Sequence, residues 1–266
     1  MAGLATLRGG VAIVTGASSG IGRATALALA AKGARLSLAS RKAEALARVA
    51  AEIESLGGEA LVLPTDVTDR TQVEELVRRT LERWGRVDVL VANAGAYIRC
   101  PACQLTIEVV ERSLAVNFFG ELYAVVAALP HMLRQRGGHI VLMSSVDGKK
   151  GIPPDAPYAI AKYAVAGLGE VLRQELHGTG VSLTTVFPGR VDTPLIADLR
   201  VPWISPKIAP ESVASAIVRA IELRQAEVIV PFPARLLLYA NTFSPRLGDW
   251  LTRRLHFQGW QTAPPS

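Results

Sequence analysis

The sequence predicts an α/β fold, a single doubly wound domain with a seven-stranded parallel sheet and helices on both faces. Short apolar runs alternate with longer amphipathic stretches along almost the whole chain. The short runs are continuously apolar, which is typical of strands that helices cover on both faces. A glycine-rich turn follows the first of these runs and leads directly into an amphipathic stretch.

The first half of the chain supplies three strand–helix units and a fourth strand. The apolar runs have strand length, the amphipathic stretches have helix length, and Gly57-Gly58 and Gly85 end two of the helices. The predicted strands are 11–15, 36–39, 60–64 and 87–92, and the predicted helices are 19–32, 42–56 and 70–84.

The second half continues the alternation, with one long interruption rich in proline at 188–209. The predicted strands are 139–144, 182–187 and 228–231, and the predicted helices are 106–136, 157–177 and 210–223. We therefore expect one domain over 1–266, with a substrate loop at about 190–210 and a C-terminal helical extension at about 232–260.

Composition limits the classes of function. The chain has 266 residues, of which 50% are hydrophobic and 20% charged, as expected for one large folded domain. The net charge is +6 and the pI is about 9.6, but the basic residues are scattered. Scattered basic residues favour a small anionic ligand over nucleic acid as the partner.

The ends of the chain predict a cytoplasmic protein. The N-terminal stretch reaches Gly-Gly within ten residues, which is too short for a signal peptide. The apolar run ARLLLYA is shorter than a membrane span. The segment after it mixes apolar residues with arginines, so we expect it to pack on the domain or on a partner subunit, with a membrane surface as the alternative.

Both cysteines lie in the sequence CPAC, at Cys100 and Cys103. A four-ligand metal site would need further ligands, but there is no third cysteine and no histidine nearby in the sequence. We expect two reduced thiols in a loop and no metal site.

The first predicted strand ends in TGASSGIG, residues 15–22, and a helix follows. Gly16, Gly20 and Gly22 permit a tight turn and a close approach of the backbone to a pyrophosphate. The helix N-terminus then offers free N–H groups and the positive end of its dipole. The turn therefore predicts a dinucleotide site.

The spacing Gly-x-x-x-Gly-x-Gly after a threonine resembles that of the short-chain dehydrogenase/reductase family. Further motifs of this family occur in order, up to about Thr193: Asp66-Val67, Asn93 to Gly95, Asn117 in AVNFFG, Ser144-Ser145, Tyr158-x-x-x-Lys162, and Pro188 to Thr193. The resemblance implies a Rossmann-type fold, a nicotinamide cofactor and an oxidoreductase. It also implies a homodimer or homotetramer, with the helices around 106–136 and 157–177 as the main interface.

The resemblance also implies which residues bind the cofactor. They include the glycine-rich turn, the ends of the following strands and the motif around Pro188. The implied residues are Gly16, Ser18, Ser19, Gly20, Ile21, Gly22, Asp66, Val67, Asn93, Ala94, Gly95, Tyr158, Lys162, Pro188, Gly189, Val191 and Thr193.

The end of the second strand distinguishes NADP(H) from NAD(H). An acidic residue there would bind the ribose 2′-hydroxyl and repel a 2′-phosphate. The sequence ASRK has no carboxylate, since Ser40 fills that place, and Arg41 can direct two donors at a phosphate. Lys42 adds positive charge. We therefore predict NADP(H) as the cofactor, with NAD(H) as the alternative. Arg41 is predicted to bind the 2′-phosphate; alternatively, it is a solvated residue at the start of a helix.

Reduction of a carbonyl by hydride also requires a proton, which a tyrosine can give. A phenol has an ordinary pKa of about 10, and a nearby cation would lower that pKa. Lys162 follows Tyr158 by one helical turn, so we expect its ammonium to lower the pKa of Tyr158. Tyr163 points from a different helix face and is expected to pack or to contact a subunit.

Two further residues complete the predicted catalytic set of Asn117, Ser145, Tyr158 and Lys162. Ser145 ends a strand 13 residues before Tyr158, where its hydroxyl can donate to the substrate oxygen, and Ser144 is expected to face elsewhere. By the resemblance, Asn117 holds a water in a proton relay from the lysine to solvent. Alternatively, its side chain only satisfies backbone groups.

The substrate is expected to be an apolar ketone or alcohol. Apolar residues of the 190–210 loop suggest a lid over the substrate. Tyr97 is expected to form an aromatic wall, and three charged residues are expected to make polar contacts at the mouth of the site. The lid residues are Leu195, Ile196, Leu199, Trp203 and Ile204, and the charged residues are Asp147, Lys149 and Lys150. Alternatively, the loop packs on the domain or on a neighbouring subunit.

Two other classes of function use the same scaffold. One is a regulatory protein that senses NADP without catalysis, and the other is an epimerase or lyase. A sensor need not keep the four catalytic groups together, and all four are present in this sequence.

Overall fold

The structure, a computed structural model, describes residues 7–261. Residues 1–6 and 262–266 of the predicted domain lie outside this range. The strands are β1 Val11–Thr15, β2 Arg35–Ser40, β3 Ala60–Pro64, β4 Val89–Ala92, β5 Gly138–Met143, β6 Val181–Pro188, β7 Leu199–Arg200, β8 Glu227–Val230 and β9 Trp260–Gln261. The α-helices are α1 Gly20–Ala31, α2 Ala43–Ser55, α3 Arg70–Trp84, α4 Ile107–Leu114, α5 Gly120–Gln135, α6 Ala156–Glu175, α7 Pro210–Leu223, α8 Ala234–Phe243 and α9 Pro245–Arg254.

Seven strands form one parallel sheet in the order β3-β2-β1-β4-β5-β6-β8. This is the predicted doubly wound α/β fold, and the prediction is confirmed. The order reverses between β1 and β4, and in such sheets a crevice opens beyond the carboxyl ends of the strands at the reversal. The polar residues that follow β1, β4, β5 and β6 all meet at this edge.

The strands are apolar throughout because both faces of the sheet are covered. One apolar cluster joins the sheet to α1, α2 and α7, and includes Leu29, Leu46 and Ile217. The other joins it to α3, α5 and α6, and includes Leu76 and Met132. Burying these faces supplies most of the free energy that holds the strand ends in place.

The predicted helix 106–136 is interrupted in the structure. A π-helical turn, Ala115–Phe119, joins α4 to α5 and contains Asn117. Just beyond it the helix approaches the loop after β3 so closely that a Cβ on Gly120 would lie 2.8 Å from Cγ2 of Val67. A π-helical turn of this kind, which has one more residue than an α-helical turn, changes the direction of the side chains around it and is frequent at functional sites.

The segment Ile107–Gln135 is also long and apolar enough to cross a membrane by length and composition. Its inward face packs in the second apolar cluster through Ala124, Ala128 and Met132. The core position accounts for the apolar residues of this face, while Val126 and Leu133 on the outer face are exposed.

The chain after β8 folds back over the carboxyl edge of the sheet. Helices α8 and α9 pack on each other, and the Ser244 hydroxyl between them accepts a hydrogen bond from Leu247 N at 3.4 Å. Strand β9 then pairs antiparallel with β7, so the end of the described chain is tied to the predicted substrate loop. This second sheet has no counterpart in the sequence prediction.

We expect that Ile140→Ala lowers the free energy of unfolding by about 3 kcal/mol, because it leaves a cavity in the centre of the sheet. Ile140 is fully buried in β5 between β4 and β6. Denaturant unfolding followed by circular dichroism measures the change. The control Leu56→Ala, at an exposed position, should stay within about 0.5 kcal/mol of the parent. Equal losses in the two variants would contradict the description of the core.

Candidate active site

The turn between β1 and α1 leaves no space for a side chain at its glycine positions. A Cβ on Gly22 would lie 2.2 Å from the carbonyl oxygen of Gly16, and one on Gly16 would lie 2.8 Å from Nδ2 of Asn93. Gly16 and Gly20 also have positive φ angles of 68° and 53°. The backbone can therefore come within hydrogen-bonding distance of a phosphate at the start of α1.

Hydrogen bonds tie the end of β4 to this turn. The Thr15 hydroxyl oxygen accepts from the backbone N–H of Asn93 at 2.9 Å and of Ala94 at 3.0 Å. The Asn93 amide donates to the Thr15 carbonyl at 2.9 Å. Neighbouring strand ends are thus locked together at the point where the strand order reverses.

An exposed basic group lies at one end of the cleft. Arg41 follows β2, and its guanidinium is 3.9 Å from the Asp66 carboxylate. The hydrogen bond from the Thr68 backbone lowers the pKa of Asp66, with smaller contributions from the Thr68 side chain and Arg41. Ser40, whose hydroxyl accepts from Lys42 N at 3.1 Å, is the last residue of β2, so that strand itself ends without an acidic side chain.

The cleft beyond the strand ends has a volume of about 950 Å³. Its shape and donors fit the predicted cofactor: the turn admits a pyrophosphate, and α1 begins there. All predicted cofactor residues except Gly22 line it, namely Gly16, Ser18, Ser19, Gly20, Ile21, Arg41, Asp66, Val67, Asn93, Ala94, Gly95, Tyr158, Lys162, Pro188, Gly189, Val191 and Thr193.

Tyr158 and Ser145 lie together at the other end of the cleft. The Tyr158 ring meets the edge of Tyr97 with 5.1 Å between the ring centroids. The Ser145 hydroxyl is 3.2 Å from the Asp147 carboxylate and accepts from the Asp147 backbone N–H at 3.1 Å. The Ser144 hydroxyl instead donates to the Lys162 carbonyl at 2.8 Å, so it is already engaged.

The structure corrects the expected pKa of Tyr158. Burial raises this pKa above its ordinary value, and the Asp147 carboxylate raises it further, while a hydrogen bond with Ser145 opposes the change. The ammonium of Lys162 lies 5.9 Å from the centre of the Tyr158 ring. It is engaged by the Glu121 carboxylate at 2.9 Å and by the Met143 carbonyl at 2.6 Å, which limits its effect on the phenol.

The Asn117 side chain is committed to the backbone. Its oxygen accepts from Ala96 N at 2.9 Å, and its amide donates to Ala96 O at 2.9 Å and to the Ser113 hydroxyl at 3.2 Å. These bonds fix the segment after Asn93–Gly95 against the π-helical turn. They match the alternative in which the side chain satisfies backbone groups, and the water relay stays a prediction.

Most of the predicted substrate residues line the same cleft, but three do not. Tyr97, Asp147, Leu195, Ile196, Leu199 and Ile204 are among the lining residues. Trp203 is 90% exposed and lies outside the cleft. Lys149 pairs with Glu227 at 2.9 Å and Lys150 with Asp249, so neither lysine stands free at the mouth.

A buried polar network next to Tyr158 was not predicted from the sequence. Asp155 accepts from the Tyr97 hydroxyl at 2.5 Å and from Arg99 Nε at 3.0 Å. Burial raises the pKa of both Tyr97 and Asp155, and it lowers the pKa of nearby Arg190. An acid three residues before Tyr158 and an arginine within the PGR motif were the available signals.

The C-terminal extension closes one side of the cleft. Arg99 donates to the Gln258 carbonyl at 2.7 Å, and Arg190 donates to the Phe257 carbonyl and to the Ser205 hydroxyl. The apolar lining residues from this extension are Leu236, Leu237, Leu251, Leu255 and Phe257. The sequence prediction did not include these residues in the site.

The remaining predictions fall outside the cleft. Tyr163 is half exposed on α6, and its expected role in packing or in a subunit contact stays a prediction. Cys100 and Cys103 are both free thiols. Cys100 is buried and forms an isolated parallel bridge with Asp155, and Cys103 is exposed in a short 3-10 helix, Ala102–Gln104.

Comparison with known proteins shows where this arrangement belongs. The model of the short chain dehydrogenase family matches residues 10–202. An uncharacterized oxidoreductase of Listeria monocytogenes is 42% identical over 193 residues, covering 72% of this chain and 78% of that protein. An uncharacterized oxidoreductase of Staphylococcus saprophyticus is 38% identical over 215 residues, covering 80% of this chain and 91% of that protein.

Two further similarities extend the comparison. The glycine betaine reductase ATRR of Emericella nidulans is 39% identical over 230 residues, which is 83% of this chain and only 18% of that protein. The crystal structure of a short-chain type dehydrogenase/reductase from Mycobacterium marinum matches with a TM-score of 0.79 at 29% identity, covering 84% of this chain and 94% of that one. Proteins of this family are oxidoreductases that use nicotinamide cofactors. The chain therefore belongs to the short-chain dehydrogenase/reductase family.

Proposed function

We propose that the protein is an NADP(H)-dependent oxidoreductase, a ketoreductase or alcohol dehydrogenase acting on a carbonyl and the corresponding secondary alcohol. The observation that carries this proposal is the placement of Tyr158, Ser145 and Lys162 in one cleft with the nucleotide cradle. When bound, the nicotinamide supplies or accepts the hydride. The four predicted catalytic residues all line this cleft, which favours an oxidoreductase over an NADP sensor, an epimerase or a lyase. These residues are Asn117, Ser145, Tyr158 and Lys162.

Tyr158 is suited to give a proton to the substrate oxygen. Its raised pKa keeps the phenol protonated at neutral pH, so it can donate as negative charge develops on a carbonyl. Ser145 is next to it and can donate a hydrogen bond to the same oxygen. Lys162 would bind the nicotinamide ribose, and the segment held by Asn117 would border the cofactor.

Arg41 and Lys42 favour NADP(H) over NAD(H). Both line the cleft at the end of β2, and a 2′-phosphate there would meet positive charge rather than a carboxylate. Arg41 is exposed and only loosely paired with Asp66, so its guanidinium is available to a phosphate.

The proposed substrate has an apolar body and one polar end. Leu195, Ile196 and Leu199 supply apolar walls from one side of the cleft, and the C-terminal extension supplies more from the other. Asp147 and Tyr97 lie near the reactive end. Burial raises the pKa of Asp147 to about 7, with Asp155 adding to this effect, so near neutral pH it can act as a donor or an acceptor.

We also propose a homodimer or homotetramer in the cytoplasm. Helices α5 and α6 each leave apolar side chains exposed, including Val126 and Leu133 on α5 and Ile160, Tyr163 and Val171 on α6. Exposed apolar residues on two neighbouring helices are typical of a subunit interface.

Replacement of Tyr158 by phenylalanine should lower the rate of NADPH oxidation about 10²–10⁴-fold, because the proton donor is lost. The assay follows cofactor absorbance with acetophenone, cyclohexanone and a long-chain methyl ketone. NADPH binding, measured by fluorescence quenching, should persist. Tyr163→Phe is the matched control and should keep the parent rate. A Tyr158→Phe enzyme with normal rates would show that another group gives the proton.

Replacement of Arg41 by glutamine should raise the dissociation constant for NADPH about 10–100-fold, because charge-assisted hydrogen bonds to the 2′-phosphate are lost. The dissociation constant for NADH should stay unchanged. Fluorescence titration of both cofactors measures the ratio. Arg48→Gln, at an exposed position on α2, is the matched control. If Arg41→Gln weakens both cofactors equally, Arg41 does not select the phosphate.

A further inference from the structure

Glu121 is a buried acidic residue of α5 that the proposed mechanism does not use. Its side chain is 1% exposed and that of Lys162 is 4% exposed. One Glu121 oxygen is 2.9 Å from Lys162 Nζ, and the other accepts from Met143 N at 3.1 Å. Lys162 also donates to Met143 O at 2.6 Å, so the three residues form a closed ring at the end of β5.

We propose that Glu121 is a positioning residue for proton transfer at this site. Its carboxylate holds the Lys162 ammonium against Met143 and cancels much of the positive charge that would otherwise act on Tyr158. This inference rests on the proposed function, in which Tyr158 gives the proton. It adds an acidic residue, acting through Lys162, to the four groups that the family resemblance implies.

Several charged groups surround the Tyr158 phenol. Lys162 lies on the same helix, one turn away. The acidic groups that raise the pKa of Tyr158 are Asp147, Glu121 and Asp155, after the larger effect of burial. The polar and basic neighbours of this cluster are Ser145, Tyr97, Arg99 and Arg190. Glu121 is the member of the acidic set that contacts Lys162.

The direction of the effect follows from the charges. Burial raises the pKa of Glu121 to about 7, and the Lys162 ammonium opposes the change, so above pH 7 the carboxylate is charged. Glutamine at this position would have the same size but no charge. Lys162 would then act on Tyr158 without compensation, and a nearby positive charge favours the phenolate. Glu121→Gln should therefore lower the pKa of Tyr158.

Ultraviolet titration of tyrosinate measures this directly, without substrate or cofactor. Spectra of the parent and of Glu121→Gln are recorded from about pH 7 to 11, and each is corrected by its own Tyr158→Phe counterpart. Because burial raises the pKa of Tyr158, the ionised fraction of Tyr158 at pH 11 is compared rather than a complete titration step. We expect this fraction to be about tenfold larger in Glu121→Gln than in the parent, which corresponds to a pKa lower by about one unit. Circular dichroism monitors the fold throughout.

Controls separate charge from structure. Glu121→Asp keeps the charge and should titrate close to the parent, and Glu54→Gln removes an exposed carboxylate on α2 and should have no effect. An equal ionised fraction of Tyr158 at pH 11 in the parent and in Glu121→Gln overturns the proposal. If Glu121→Gln does not fold, Glu121→Met takes its place as the uncharged variant. If no neutral variant folds, Glu121 is structural and the proposal fails. An enzyme inactive on all ketones would instead contradict the proposed function alone.

A separate observation concerns the outer surface of α8. Leu237 and Leu238 of this helix are buried, but a stripe of apolar side chains is exposed. These side chains are Phe232, Leu236, Tyr239 and Phe243, at helical spacings of four, three and four, and Leu236 also lines the cleft. Phe243 is 89% exposed. Such a stripe is unfavourable in water unless something covers it.

Helix α9 adds positive charge to the same hairpin. Trp250 is 54% exposed on α9. Arg246, Arg253 and Arg254 are also exposed and lie three or four residues from Trp250. Between 232 and 256 the sequence has four arginines and one acidic residue, Asp249, which is paired with Lys150. Aromatic residues flanked by arginines are typical of helices that lie in an anionic membrane interface.

We infer that the outer surface of α8 and α9 docks on an anionic phospholipid surface. Charge favours lipid over a second copy of the chain, because a two-fold contact would bring the same arginines together. The inner sides of these helices line the cleft through Leu237, Leu251 and Leu255. An apolar substrate dissolved in the bilayer would thus enter next to its binding site.

Vesicle co-sedimentation tests this inference with the full chain. We expect sedimentation with phosphatidylcholine vesicles that contain about 30 mol% phosphatidylserine, and little with phosphatidylcholine alone. The double variant Phe243→Ser/Trp250→Ser should lose it. Leu56→Ser/Leu105→Ser, at exposed apolar positions elsewhere, is the matched control. Parent protein that stays in the supernatant, or that binds both vesicle types equally, overturns the inference. If the double variant dissociates an oligomer and leaves sedimentation unchanged, the surface is a subunit interface.

Discussion

The contact between the first turn and the end of β4 is the constraint on which the rest of the site depends. A Cβ at Gly22 would overlap the Gly16 carbonyl. The Thr15 hydroxyl accepts hydrogen bonds from two backbone N–H groups just after β4. Because β1 and β4 are adjacent where the strand order reverses, this contact sets the floor of the cleft. The later strand ends then bring Ser145 and Pro188 to the same edge.

Charge is the second constraint, because the reactive end of the cleft is largely buried. An isolated buried ion is unstable, so a buried ionisable group there either pairs with an opposite charge or, like Asp147, has a pKa that burial shifts toward the neutral form. Lys162 pairs with Glu121, and Asp155 pairs with Arg99. Pairing leaves little net positive field at Tyr158, which explains why burial raises its pKa although a lysine is one turn away.

The sequence was sufficient for features that are local. Strands, helices and the glycine-rich turn follow from patterns a few residues long, and the family motifs placed Ser145 and Tyr158 in one cleft. Long-range pairings could not be read in this way. Glu121 meets Lys162 across 41 residues, and Lys150 is drawn to Asp249 across 99. The exposed position of Trp203 likewise depends on how the loop packs against the C-terminal extension, which periodicity does not encode.

The proposed reaction and part of the substrate site are encoded in different parts of the chain. The family match ends at residue 202, and it includes every residue proposed for hydride and proton transfer. Leu195, Ile196 and Leu199 lie within this range, but further apolar walls of the cleft come from α8, α9 and the segment after them, beyond that boundary. Arg99 and Arg190 reach from the matched region to carbonyls of this extension and fix it over Tyr97 and Asp155. Substitutions in α8 and α9 can therefore change the substrate while the polar groups around Tyr158 remain as they are.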